Sequence, residues 1–302
     1  MLIREGSYKQ LDSVIIENEI IRAEIVPSSG ARTASLIYKP ENAELLWQNE
    51  SAEHAPVKYA QNFPEGEKSG FDEMFPTINE CVYPDYPWEG TMLPDHGEVW
   101  ALPWQKEIQP DAAIFTVHGM RLPYSFSKRV RLEDAVLKTV YRLENHSPYS
   151  MLFLYAAHPL FNVEPGDRIE VPANLDEFRN AVPSIALPEY GSLHSWSDEF
   201  AVMPDQSPDG YKKYYFTGEN TEGWCALHRA ALGLEIRMSV SAKQLPFLGI
   251  WMNEGGWDKQ FNLALEPASA PMDDLPAARK FGAESVIAPN EVIEWNLDIQ
   301  LN

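Results

Sequence analysis

Two histidines and one glutamate are the residues of this chain best suited to chemistry, and each stands in a short, unusual phrase. The phrases are residues 93–100 (LPDHGEVW), residues 157–162 (AHPLFN) and residues 263–267 (LALEP). Together His96, His158 and Glu266 supply two imidazoles and one carboxylate, which can work as a paired acid and base near neutral pH. Each phrase joins a strand-like run to a turn residue, so we expect these side chains to emerge at the ends of strands.

Alternation of apolar and polar residues dominates the rest of the chain and predicts strands. The pattern is clearest at residues 292–301 (VIEWNLDIQL), and residues 21–25 and 137–144 share it. Residues 273–281 are the stretch in which we expect a short helix. The 24 prolines punctuate loops, and no low-complexity linker divides the chain. The sequence therefore predicts an all-β, antiparallel single domain over residues 1–302.

The composition excludes several classes of partner. With 45 acidic residues against 24 lysines and arginines, the formal charge is -21, which repels polyphosphate backbones. The N-terminus becomes polar at once, and the apolar run at residues 151–157 is far too short to span a bilayer. We therefore expect a cytoplasmic protein that binds neither nucleic acid nor membrane. Cys81 and Cys225 are too few for a disulfide framework and are expected to be reduced thiols.

The order and wording of the three phrases resemble those of aldose 1-epimerases and the wider galactose mutarotase-like superfamily. The resemblance covers residues 20–301, and its specific parts are GFDEMFP at 70–76, LPDHG at 93–97, AHPLF at 157–161, the tryptophan-bearing strand at 249–253 and the Glu-Pro pair at 266–267. It implies a large antiparallel β-sandwich, the galactose mutarotase-like supersandwich.

The resemblance also implies an activity. It is that of an isomerase of the aldose 1-epimerase type, which interconverts the α and β anomers of a monosaccharide or sugar derivative by acid-base ring opening. Glu266 stands where the family has its general base, and His158 stands where the family has the acid that protonates the ring oxygen. His96 matches a histidine that contacts the sugar. Because this chemistry moves only protons, it requires neither a metal nor a cofactor.

One wall of the predicted sugar site differs from that of many family members. Where they carry an arginine, this chain has residues 68–70 (KSG) followed by the acidic pair Asp72 and Glu73. Carboxylates accept hydrogen bonds from sugar hydroxyls and repel phosphate, so we predict that this pair binds an unphosphorylated sugar. The alternative is that both are solvated loop charges. Trp251 is predicted to stack on the sugar, with a place in the core as its alternative.

Two other functions fit the same residues. A non-catalytic carbohydrate-binding protein on the same sandwich is the stronger alternative, since one fold hosts many functions. Such a protein would bind sugar without accelerating anomer exchange. A cupin-like metal site has suitable ligand types, although the His-x-His spacing common in such sites is absent. Its ligands would be His96, Glu98, His158 and Glu266.

Overall fold

Strands are the main secondary structure of the protein. The computed structural model describes residues 1–49 and 56–302, with 47% of residues in strands and 7% in helices. The strands are, in chain order, β1 (Leu2–Tyr8), β2 (Leu11–Glu17), β3 (Ile21–Val26), β4 (Arg32–Tyr38), β5 (Ala43–Glu44), β6 (Phe71–Met74), β7 (Cys81–Val82), β8 (Met92–Leu93), β9 (Gln105–Ile108), β10 (Ala113–His118), β11 (Tyr124–Glu133), β12 (Val136–Asn145), β13 (Met151–Phe153), β14 (Ala156–Asn162), β15 (Arg168–Glu170), β16 (Glu177–Asn180), β17 (Leu193–Ser195), β18 (Tyr211–Phe216), β19 (Trp224–Arg229), β20 (Leu234–Val240), β21 (Phe247–Glu254), β22 (Phe261–Ala268), β23 (Ser285–Ile287) and β24 (Val292–Leu301). The α-helices are α1 (Asp198–Ala201) and α2 (Leu275–Lys280), and short 3₁₀ helices lie at Lys39–Glu41, Phe63–Glu65, Val99–Ala101 and Ala230–Leu232.

Two large antiparallel sheets form a sandwich. The first has the strand order β1-β2-β3-β4-β6-β14-β22-β21-β18-β16-β17, with β5 paired to β4. The second has the order β15-β19-β20-β24-β12-β11-β10-β9, and the pairs β13-β23 and β7-β8 form two small sheets. Buried apolar side chains from both large sheets belong to one core cluster. The predicted antiparallel β-sandwich is confirmed.

The strands predicted from alternating apolar and polar residues are present in the structure. Residues 292–301 form β24, in which every second side chain from Trp295 onward is buried, and residues 137–144 lie in β12. The short helix predicted in residues 273–281 is α2, which Asp274 caps by accepting a hydrogen bond from the backbone N–H of Ala277 at 2.7 Å. The single turn α1 was not predicted.

The prediction that His158 and Glu266 emerge at strand ends is wrong. His158 lies inside β14 and Glu266 lies inside β22, and both strands continue for at least two residues beyond them. The following residues, Pro159 and Pro267, are part of the same strands. Because proline is normally excluded from strand interiors, the two prolines indicated that each strand ends there, whereas both strands continue.

Both cysteines are free thiols, as predicted, and the structure buries both. Burial raises the pKa of the Cys225 thiol to about 12, so this side chain is unreactive at neutral pH. In the described ranges, residues 1–49 and 56–302, no helix has both the length and the apolar character needed to cross a membrane.

Candidate active site

Three neighbouring strands, β6, β14 and β22, bring the predicted acid and base into one row. Asp72 pairs with His158 in the register of β6 and β14. The register of β14 and β22 runs from Ala156 opposite Ala268 to Leu160 opposite Ala264, which places Glu266 beside His158 on its other flank. Paired residues of antiparallel strands project to the same face of a sheet. Backbone pairing therefore sets these three side chains side by side.

The side chains of this row are within reach of one another. His158 Nε2 lies 3.7 Å from Glu266 Oε1. On the other side of the ring, His158 Nδ1 lies 3.9 Å from Asp72 Oδ2 and 3.5 Å from His96 Nε2. All four residues are buried. The His158 imidazole is thus flanked by one carboxylate at each nitrogen, with a second imidazole at Nδ1.

His96 reaches the row from the loop that follows β8. Its φ of 60° lies in the left-handed region, and a Cβ on the next residue, Gly97, would lie 2.1 Å from the carbonyl oxygen of Phe75. The close turn allowed by this glycine holds the His96 ring against Phe63, with 3.9 Å between the stacked centroids. Burial and the neighbouring His158 hold the pKa of His96 well below its usual value, so His96 is neutral at neutral pH.

Glu266 is the least satisfied polar group of the row. Its side chain is fully buried, and among the described residues neither of its oxygens has a hydrogen-bond partner. Lys213, on β18, lies nearby with Nζ 3.5 Å from Oε2. A buried acceptor without a hydrogen bond costs about 1–3 kcal/mol, part of which the Lys213 ammonium offsets at Oε2. A ligand hydroxyl that donates to Glu266 would recover that free energy.

The row borders a cleft of about 180 Å³. Its apolar walls include Phe63, Ile78, Trp251 and Trp257. Its polar lining comes from Asn79, Asp95, His96, His158, Lys213, Glu266 and Asp273. Sites for drug-sized ligands usually measure roughly 300–1,000 Å³, so this cleft suits a small polar molecule. A larger cavity of about 420 Å³ lies beside Trp295, away from these groups.

Trp251 belongs to the cleft wall and not to the core. It pairs with Lys213 on one side and Ala264 on the other, and so shares a face of the sheet with Glu266. The ring of Trp257 lies edge-on to it, with 5.8 Å between centroids. Aromatic faces are well suited to the apolar faces of sugar rings. Stacking of Trp251 on a sugar stays a prediction.

The structure separates Asp72 from Glu73, so the prediction that both bind the sugar is wrong for Glu73. They are consecutive residues of β6, so they point to opposite faces of the sheet. Asp72 Oδ1 lies 3.1 Å from Nε of Arg32. Glu73 faces the second sheet, where it accepts hydrogen bonds from Lys128 at 2.7 Å and Tyr141 at 2.9 Å. Glu73 therefore lies outside the cleft, and the alternative of two solvated loop charges is wrong because both are buried.

Glu98, the residue after the His-Gly pair, is a structural carboxylate. It is fully buried and accepts hydrogen bonds from the hydroxyls of Tyr59 at 2.6 Å and Tyr124 at 2.9 Å. The backbone N–H of Arg121 donates a third at 2.8 Å. These bonds tie the loop that carries His96 to the turn between β10 and β11. These hydrogen bonds hold the Glu98 carboxylate away from His158 and Glu266, with which it would have to bind a metal in a cupin-like site.

A different trio has the spacing of metal ligands. One ligand atom from each of Asp72, His96 and His158 lies within 4.8 Å of the other two. Arg32 lies beside Asp72, and its positive charge opposes a cation at that position. The same spacing occurs at the protein surface in Glu170, His228 and Glu235.

Comparisons with known proteins identify the fold. The chain matches no protein-family model and no curated protein. The Slr1438 protein from Synechocystis sp. PCC 6803 has a similar crystal structure, with a TM-score of 0.78 over 100% of this chain and 99% of that chain at 17% identity. A galactose mutarotase-like protein from Clostridium acetobutylicum gives 0.72 over 100% and 98% at 14% identity. A galactose mutarotase related enzyme from Lactobacillus acidophilus gives 0.67 over 96% and 97% at 18% identity. The chain therefore has the galactose mutarotase-like fold.

Proposed function

We propose that this protein is an aldose 1-epimerase-like isomerase that interconverts the anomers of an unphosphorylated sugar. The observation that carries the proposal is the pairing of Glu266 with His158. A buried carboxylate, with the Lys213 ammonium 3.5 Å from one oxygen, presents its other oxygen to an imidazole nitrogen at 3.7 Å on the wall of a small cleft. In a pyranose, the anomeric hydroxyl and the ring oxygen are bonded to the same carbon. A base and an acid this close together can therefore act on both oxygens.

The reaction needs only proton transfers. Glu266 takes the proton of the anomeric hydroxyl while protonated His158 gives one to the ring oxygen, and the C1–O5 bond breaks to leave an open-chain aldehyde. Rotation about C1–C2 presents the other face of the carbonyl. The ring closes with Glu266 and His158 in reversed roles, which restores both protonation states and yields the opposite anomer.

The neighbours of His158 support its role as the acid. Asp72 lies near Nδ1 and Glu266 near Nε2, so a carboxylate faces each nitrogen of the ring. His96 is neutral and does not compete with His158 for the transferable proton. In the proposed complex, His96 holds the ring oxygen or an adjacent hydroxyl.

The charges of the cleft support a neutral substrate. Asp95, Glu266 and Asp273 line it together with one lysine, Lys213. This excess of carboxylates repels a phosphate group, whereas sugar hydroxyls donate hydrogen bonds to carboxylates. Trp251 offers a stacking surface at one wall. We therefore infer that the ligand is a monosaccharide or an uncharged sugar derivative.

The test is the rate of anomer exchange across a panel of free monosaccharides, followed by polarimetry or exchange NMR. Wild-type protein should accelerate exchange of at least one sugar, and Glu266→Gln should lower kcat by roughly 10²–10⁴-fold, because the amide keeps the shape but not the basicity. Glu177→Gln, which changes a carboxylate on β16 of the same sheet, is the matched control and should keep full activity.

Two outcomes contradict the proposal. A folded Glu266→Gln variant with wild-type turnover removes Glu266 from the mechanism. Binding of a sugar without acceleration of its anomer exchange supports the non-catalytic carbohydrate-binding alternative.

A further inference from the structure

We propose that Lys213 is a positioning residue that keeps Glu266 ionised and oriented, and that Asp273 and Tyr215 hold Lys213 in place. This inference rests on the proposed function. Lys213 Nζ lies 2.9 Å from Asp273 Oδ1 and 3.5 Å from Glu266 Oε2. Its side chain is only 10% exposed. One buried ammonium thus joins two carboxylates that would otherwise repel each other.

The register of three adjacent strands explains how Lys213 and Tyr215 reach the base. On β18, Tyr215 pairs with Gly249 of β21, which pairs in turn with Glu266 of β22. A Cβ on Gly249 would lie 2.7 Å from Cε1 of Tyr215. The Tyr215 ring therefore occupies the space that a larger residue at position 249 would fill. Lys213, two residues earlier on β18, projects to the same face.

Asp273 is fixed from two directions. The Tyr215 hydroxyl donates a hydrogen bond to Asp273 Oδ1 at 2.8 Å. The backbone carbonyl of Asp273 accepts hydrogen bonds from the N–H groups of Ile78 and Asn79, at 3.1 and 2.6 Å. A carboxylate held at both its side chain and its backbone gives the Lys213 ammonium a defined position.

The geometry divides the two oxygens of Glu266 between different tasks. Oε2 faces Lys213, whereas Oε1 faces His158. An opposite charge within about 4–6 Å favours the ionised form of a carboxylate. Burial works against the charge of Lys213, but Asp273 and Glu266 raise its pKa above the usual value. Lys213 therefore stays charged across the neutral range, and the oxygen nearer His158 remains available to substrate.

The ionisation of Glu266 depends on groups from several elements. Lys213 and Tyr215 approach from β18 and His158 approaches from β14, while Asp273 lies beyond Lys213. The other titratable groups of the cleft and its row are Arg32, Asp72, Asp95 and His96. Removal of Lys213 would leave Glu266 and Asp273 without their shared cation.

The experiment follows the titration of the Glu266 carboxyl by ¹³C NMR of glutamate-labelled protein, with the signal identified by its loss in Glu266→Gln. In Lys213→Met the titration midpoint should rise by about 1–3 pH units relative to wild type. Lys213→Arg, which keeps the charge, should restore the wild-type midpoint. Lys212→Met is the matched control, because Lys212 is a buried lysine of the same strand that pairs with Glu254; it should leave the midpoint unchanged.

Kinetics gives a second readout. The acidic limb of the kcat/KM profile should move to higher pH in Lys213→Met by the same amount, with kcat falling more than KM changes. Because a missing cation can prevent folding, Tyr215→Phe serves as a milder variant that removes one restraint on Asp273, and its midpoint should move in the same direction by a smaller amount. An unchanged Glu266 midpoint in whichever of these two variants folds overturns the inference.

The NMR titration does not depend on turnover, so the two proposals can fail separately. Absence of anomer exchange in wild-type protein, together with a shifted midpoint in Lys213→Met, overturns the proposed function alone. Anomer exchange in wild type with an unchanged midpoint overturns the role of Lys213 alone.

Discussion

Removal of Lys128 tests whether Glu73 belongs to the core between the sheets or to the sugar cleft. The Lys128 ammonium donates to the Glu73 carboxylate at 2.7 Å, and the two side chains are 2% and 0% exposed. The rings of Trp104 and Phe71 lie 5.7 and 6.0 Å from the ammonium. Burial raises the pKa of Glu73, and Lys128 opposes that shift. The net shift of the Glu73 pKa is upward, so Lys128 favours the ionised form of Glu73 but offsets only part of the cost of burial.

The magnitude follows from the cost of an unpaired buried charge. Lys128→Met keeps most of the side-chain volume and strands the carboxylate, which should lower the free energy of unfolding by about 3–5 kcal/mol. Adding Glu73→Gln removes the stranded charge. The amide oxygen can still accept the hydrogen bond that the Tyr141 hydroxyl donates to Glu73 Oε1 at 2.9 Å in wild type. The double variant should therefore lie within about 1–2 kcal/mol of wild type.

The four proteins to compare are wild type, Lys128→Met, Glu73→Gln and the double variant. Their urea unfolding, followed by tryptophan fluorescence at constant pH, measures the coupling free energy between Lys128 and Glu73. A core pair predicts that the losses in the two single variants greatly exceed the loss in the double variant. Additive losses would refute the pairing. A Glu73→Gln variant of unchanged stability but weaker sugar binding would return Glu73 to the cleft.

Three further predictions concern the histidines and the reaction. Burial holds the pKa of His96 below its usual value near 6.5, so below that pH the unfolded chain binds a proton that the folded chain does not. The contribution of His96 to the free energy of unfolding is present above about pH 6.5 and is lost as the pH falls, by up to about 1.4 kcal/mol per pH unit. In urea unfolding, the stability of His96→Gln should therefore depend less on pH than that of wild type. Exhaustive chelation should leave anomer exchange unchanged because the proposed steps move only protons; activity lost and then restored by one metal would assign Asp72, His96 and His158 to a metal ion. In D₂O the anomers should exchange without deuterium entering C1 or C2 of the sugar, and NMR detection of deuterium at C2 in step with turnover would indicate enolisation instead.

The sequence predicted strands best where one face of a strand meets solvent, although β11, which alternates in the same way, was not predicted. β24 and β12 show alternation because most of their outward side chains are polar. The pattern fails at β6, whose sequence FDEM is buried on both faces. Its two carboxylates are neutralised by cations from β4 and β11, and such pairing over a long chain separation leaves no local signal. The organisation of residues 1–302 as one domain stays a prediction.

One signal for the buried partner of Glu73 was present in the sequence. On β11, inward positions alternate with outward ones, and Lys128 stands between Phe126 and Val130 at an inward position. Tyr141 stands likewise at an inward position of β12. A lysine at an inward position needs a buried anion, because an unpaired buried charge is too costly. The sequence could thus have indicated that some carboxylate lies between the sheets, although not which one.

The cleft was predictable in part. The phrases around His96, His158 and Glu266 identified three side chains that the fold brings together. Lys213 and Asp273 were missed. The sequence YKKYYF of β18 shows that one of two adjacent lysines faces each side of the strand, but only the register with β21 determines which lysine faces Glu266.

Placement inside strands explains how the acid and base keep their geometry. His158 and Glu266 each have paired strands on both sides, so neither can shift along the sheet without breaking backbone hydrogen bonds. Sites built on such elements hold their geometry better than sites on loops. His96, in contrast, comes from a loop. Its position depends on the turn at Gly97 and on stacking against Phe63. In the proposed mechanism the strands therefore fix the proton-transfer groups, and adaptation to the shape of a particular sugar falls to the loop side of the cleft, where His96 and Phe63 meet the substrate.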